Sequence, residues 1–195
     1  MTINYLSKKE KLVSDQFEKE GFVIFDIKRT ELIKEIDQIL SSYIKKKIKI
    51  KKISRINYVL NNFHKFLQKK SLNKIRLDIL KKINSSKLIK KLYYQVSKDL
   101  LDIIVGNELV MQKKINLSIQ LPQDDSSLLA VHSDIWSGDS PYEVVVWIPL
   151  VNCFKTKSMY ILKANKYKKF EKKFKFLSKK NSNYIFDSIK KDINW

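Results

Sequence analysis

Hydrophobic residues recur with two different periods along this 195-residue chain, and the change between them falls just after Gly106. Before it the spacing is helical. In "RTELIKEIDQILSSYI" Leu32, Ile36, Ile39, Leu40 and Ile44 share one face, and Thr30 stands where a hydroxyl can cap the first turn. The same spacing predicts helices over residues 8–20, 54–70 and 72–104, the last broken at the "INSS" of 83–86 and stopped by Gly106. "GFVIFDI" (21–27) is a short apolar run that reads as a strand, and the lysine-rich 45–52 reads as a solvated link.

After Gly106 the period becomes two. "INLSIQLP" alternates Ile115, Leu117, Ile119 and Leu121 with Asn116, Ser118 and Gln120, the pattern of a half-buried strand ended by Pro122. "LLAVHSD" (128–134), "YEVVVWIPLV" (142–151, apolar on both faces) and "SMYIL" (158–162) read as three more strands. Helices followed by strands predict an α+β domain, or a β-barrel with an N-terminal helical layer, over 1–162, helical across residues 1–107 and β across residues 108–162. Residues 163–195 read as a basic tail with room for one helix and one strand.

Composition narrows the setting. A chain of this length with 44% hydrophobic residues can bury a core of its own. Cys153 is the one cysteine, so no internal disulfide is possible. No apolar run spans a bilayer and no leader pattern opens the sequence, which predicts a cytoplasmic protein without a membrane span. The formal charge of +20 raises polyanions as partners, but only Arg29, Arg55 and Arg76 among the 40 basic residues are arginine. Arginine is the residue suited to bidentate phosphate and base recognition, so no specific nucleic-acid partner is expected. Residues 101–150 reverse the trend, with two lysines against seven acids.

Within that acidic stretch lies "HSD". At strand geometry His132 and Asp134, two residues apart, point to the same face, so imidazole and carboxylate can converge on one point. One histidine and one carboxylate with open positions are two-thirds of a non-haem Fe(II) facial triad. The motif is short, and a strand-end histidine beside a solvated aspartate explains the same letters. Asn116 and Gln120 are candidates to line a pocket, or to serve as structural hydrogen-bonders; Trp147 is a candidate pocket wall or plain core.

The stretch "INLSIQLPQDDSSLLAVHSDIWSGDSPYEVVVWIPLVNCFKTKSMYIL", with "GNELVMQ" before it and the helical "LNKIRLDILKKIN", resembles the Fe(II)- and 2-oxoglutarate-dependent oxygenases of the phytanoyl-CoA dioxygenase superfamily. It is similar in particular to a branch found in sporadic bacterial carbohydrate-biosynthesis clusters. The resemblance covers about residues 54–162. It implies a partial double-stranded β-helix of the jelly-roll or cupin kind, its distal strands missing, with His132 and Asp134 as iron ligands. It implies 2-oxoglutarate as cosubstrate, a small carbohydrate-like substrate, and Trp147 near the cosubstrate; Asn116 and Gln120, which share a face, are the candidates to bind it from the pocket lining. No catalytic side chain is assigned, because metal and cosubstrate would carry the chemistry.

The chain departs from that pattern in two places. The family's second histidine ligand and the arginine that grips 2-oxoglutarate lie downstream of HxD, and neither occurs here. The other histidine, His64, reads as an ordinary helix-surface residue, and no arginine follows Arg76. The expectation is that the third ligand is encoded beyond residue 195. Three functions compete: an oxygenase, a catalytically silent relative of one, and a lysine-rich polyanion binder.

Overall fold

The structure is a computed structural model that describes residues 5–49, 56–67, 71–124, 132–137, 139–155 and 157–168. The helices expected from the sequence are recovered nearly in register. They run over Lys8–Glu20 (α1), Thr30–Lys47 (α2), Ile56–Asn61 (α3), Leu72–Ser85 (α4) and Lys87–Ile104 (α5). Gly106, at φ +90°, follows the last turn of α5 in the left-handed conformation that glycine adopts without strain. The break at 83–86 is a shared cap: Ser86 ends α4 and its hydroxyl accepts the N–H of Ile89 at 3.2 Å to start α5.

Three local expectations shift. Thr30 is the first helical residue and Arg29 holds the cap position without a side-chain bond. Instead Arg29 reaches α5, donating to the Gln95 carbonyl and pairing with Asp99 at 3.3 Å. The helix expected over 54–70 is shorter: α3 ends at Asn61 and a 3-10 turn follows over Phe63–Lys65. The link expected at 45–52 begins later, because α2 continues to Lys47.

The chain forms two compact units. The larger holds α2 to α5 and the extended segments of residues 24–27, 115–121 and 146–151. Its core is built around α2, which packs against α3, α4 and α5. Ile36, Leu40 and Ile44 from α2 meet Val59, Phe63, Leu72, Ile79, Ile83, Ile89 and Leu92, and Leu121 joins them. This apolar stripe is what the 3.6-residue period encodes. Two of the buried polar residues pair on α2: the Ser41 hydroxyl donates to Asp37 Oδ1 at 3.1 Å, one turn apart.

The smaller unit holds α1, residues 132–145 as far as they are described, and 160–168. A capping box opens α1: the Ser7 hydroxyl accepts the N–H of Glu10 at 3.3 Å, and Glu10 accepts the N–H of Ser7 at 2.8 Å. Gly21 closes the helix at φ +80°, where a side chain would also press the Ala164 methyl at 3.3 Å. Lys163 pairs with Glu20 at 2.8 Å.

The β half is corrected. Among the described residues there is no strand ladder, sheet or jelly roll, and the one bridge is an isolated contact between Phe154 and Lys157. Alternation itself survives. Ile115, Leu117, Ile119 and Leu121 turn inward to the helices, while Asn116, Ser118 and Gln120 are exposed. Val144, Val146, Ile148 and Leu150 likewise alternate with exposed Val145, Trp147 and Pro149, so this run is not apolar-buried on both faces.

The physical reason lies in what a period of two encodes. It specifies an extended segment with one covered face; it does not specify a neighbouring strand. Here helices cover the face, and helix side chains bond the backbone. The Asn84 carboxamide accepts the N–H of Ile115 at 2.8 Å and donates to its carbonyl at 3.0 Å, as a strand neighbour would. The Tyr93 hydroxyl donates to the Val146 carbonyl at 2.6 Å, and Asn61 Oδ1 accepts the N–H of Asn152 at 2.9 Å. Residues 22–27 likewise have no ladder partner among the described residues. Of the expected strand 128–134, residues 128–131 lie outside the described ones. So do residues 169–195, most of the expected tail; residues 164–168 are helical.

Candidate metal-binding pair

His132 and Asp134 do come together, by a different route from the one strand geometry predicts. Asp134 opens a 3-10 turn over Asp134–Ser137, and its carbonyl accepts the N–H of Asp139 at 3.3 Å. The turn replaces the pleat as the device that brings the imidazole and carboxylate to one side. His132 Nε2 stands 3.7 Å from Asp134 Oδ1, too far for a hydrogen bond. Two donors sharing a cation at about 2.1 Å each can stand no more than about 4.2 Å apart, so one ion can be reached by both. The side chains are 43% and 48% exposed, so both reach solvent.

The pair is incomplete as a metal cage. Among the described residues no group of three histidine, cysteine, aspartate or glutamate side chains converges. His64 is exposed in its 3-10 turn in the larger unit, as the sequence suggests for a surface histidine. The donor set fits a weakly held divalent ion whose remaining positions are filled by water.

The other candidates belong to the larger unit. Asn116 lines a shallow cleft of about 280 Å³ with Leu80, Lys81, Asn84, Lys114 and Ile115. Gln120 is exposed on the same face of its segment, and Trp147 is 46% exposed. A second cleft, about 500 Å³, lies in the smaller unit beside the Glu20–Lys163 pair and is lined also by Asp15, Gln16, Lys19 and Phe22. The Lys163 hydrogen bond holds the Glu20 carboxyl below the usual range.

Sequence reasoning passed over the side chains that anchor the extended segments: Asn61, Asn84 and Tyr93. An asparagine inside a helix carries no specific signal of its own, although asparagine is a poor helix former and its presence there hints at a bonding role.

No protein-family model matches the chain, and no curated protein and no solved structure is significantly similar to it.

Proposed function

We propose that His132 and Asp134 are a two-residue Fe(II) site in a chain related to the 2-oxoglutarate-dependent oxygenases, acting on a carbohydrate-like small molecule. The observation that carries this reading is the 3.7 Å approach of an exposed imidazole and an exposed carboxylate. The likeness of residues 54–162 to that superfamily supports the choice of metal and cosubstrate. Bound iron and 2-oxoglutarate would supply the oxidation of substrate by O₂. The chain's own contribution is to present Nε2 and a carboxylate oxygen to one ion.

A second reading, a metal-binding relative without turnover, is favoured by two observations. No third protein ligand accompanies the pair among the described residues, and no arginine follows Arg76 to hold the distal carboxylate. Succinate release from 2-oxoglutarate under Fe(II) and O₂ separates the two. Turnover that disappears in His132→Ala and Asp134→Ala supports the oxygenase. Metal binding without succinate supports the silent relative, and failure of both overturns the proposal.

A further inference from the structure

We propose that the extended segment Ile115–Leu121 is an open β-edge that pairs antiparallel with the same segment of a second copy of this chain, centred on Ser118. Successive residues of an extended chain aim their backbone groups to opposite edges. The N–H and C=O of Ile115 are both taken by Asn84, which assigns the edge shared by 115, 117, 119 and 121 to the α4 side. The opposite edge belongs to Asn116, Ser118 and Gln120. Among the described residues none of these three makes a backbone hydrogen bond, and all three are exposed. Three N–H and three C=O groups therefore stand ready along one edge, over an apolar face already seated on the helices.

Edges of this kind are ordinarily guarded by lysine, proline or a bulge. Here, in a chain with 31% charged residues, positions 115–123 carry no charge, and Pro122 falls only after the segment. What it would meet in another copy is complementary. Centring on Ser118 places Ser118 opposite Ser118 and Asn116 opposite Gln120 in hydrogen-bonded pairs, so hydroxyls and carboxamides face one another without a charge clash. The flanks are complementary too: Lys113 and Lys114 precede the segment and Asp124 follows it. Antiparallel pairing sets the basic end of each copy against the acidic end of the other, whereas parallel pairing would set like against like. A two-fold axis at Ser118 satisfies all of this with one contact used twice.

Sedimentation of the full chain across concentration tests the pairing, and single cysteines test its register. In a Cys153→Ser background, Ser118→Cys should form a disulfide dimer readily, since directly opposed residues stand about 5.5 Å apart at Cα. Gln120→Cys should not, because its two copies would be about 14 Å apart, twice the span a disulfide bridges. Ser118→Pro, which removes the central N–H donor, should shift the protein to monomer with its helical signal unchanged. Reversing Lys113 and Lys114 to Glu should weaken the dimer at least tenfold, and adding Asp124→Lys should restore it. A monomer at all concentrations overturns the proposal. So does a dimer that cross-links equally through positions 118 and 120, or one that Ser118→Pro leaves intact. Should Ser118→Pro lose its helical signal, the cysteine pair decides alone.

Discussion

Asp37 is the residue most at odds with its surroundings. It is 7% exposed inside the apolar stripe of α2, with the Ser41 hydroxyl as its hydrogen-bond partner, and burial pushes its carboxyl above the usual aspartate range. A carboxyl whose pKa is higher folded than unfolded binds its proton more tightly in the folded state. Stability therefore falls as pH rises from the unfolded aspartate value through the raised folded one, and recovers on acidification across that window. Asp37→Asn keeps the shape and a partner for Ser41 while removing the charge. It should raise Tm at pH 7 and flatten the pH dependence of stability in that window, as thermal melts in a pH series would record. A melt at pH 7 no higher than wild type would mean that the carboxylate is better satisfied than a single hydroxyl allows. The pattern of Leu32 to Ile44 located this face of α2 correctly, but it carries no sign of the carboxyl buried at position 37. A period reports where most of a face points, and a single buried charge does not alter it.

At the scale of elements, the helices were legible because each carries its own hydrogen bonds. A 3.6-residue stripe together with caps such as Ser7, Ser86 and Gly106 is enough to specify one. Extended segments are different, since their backbone partners come from elsewhere in the chain. The alternation of 115–121 revealed its buried face and concealed that Asn84 would stand in for a neighbouring strand. The consequence is measurable. Asn84→Ala leaves two Ile115 backbone groups without their partner and should cost about 1–3 kcal/mol. Asn84→Asp keeps the acceptor for the N–H but sets a carboxylate oxygen against the Ile115 and Leu80 carbonyls, so it should not restore the loss. Urea denaturation would show a lower midpoint for Asn84→Ala with an unchanged slope. A loss below about 0.5 kcal/mol would show that water replaces the carboxamide without penalty. Tyr93→Phe removes the bond to Val146 and should cost about 0.5–1.5 kcal/mol by the same measurement.

Across the whole molecule, charge is distributed by segment. Residues 45–98 carry sixteen lysines and two arginines against a single acid, Asp78, which Lys47 already engages at 2.9 Å. Residues 101–150, with the His132–Asp134 pair, are acidic overall. Such a division favours nonspecific attraction of polyanions by the helical stretch and of cations by the other. Any binding to heparin or single-stranded nucleic acid should therefore fall steeply with salt and show no base preference; a salt-insensitive, sequence-selective complex would contradict this. The candidate pair was legible from three letters, but not the turn that forms it. The expected sheet around it rested on strand pairing, which alternation alone does not specify.

The most direct test of the metal-binding account is an anaerobic titration of the full chain with Mn(II), read by electron paramagnetic resonance, as a stand-in for Fe(II). One equivalent should bind, and His132→Ala and Asp134→Ala should each weaken it by at least about tenfold, the lower end of what losing even a ligand's supporting partner costs. Binding that survives both substitutions, or no binding by the wild-type chain, would contradict it.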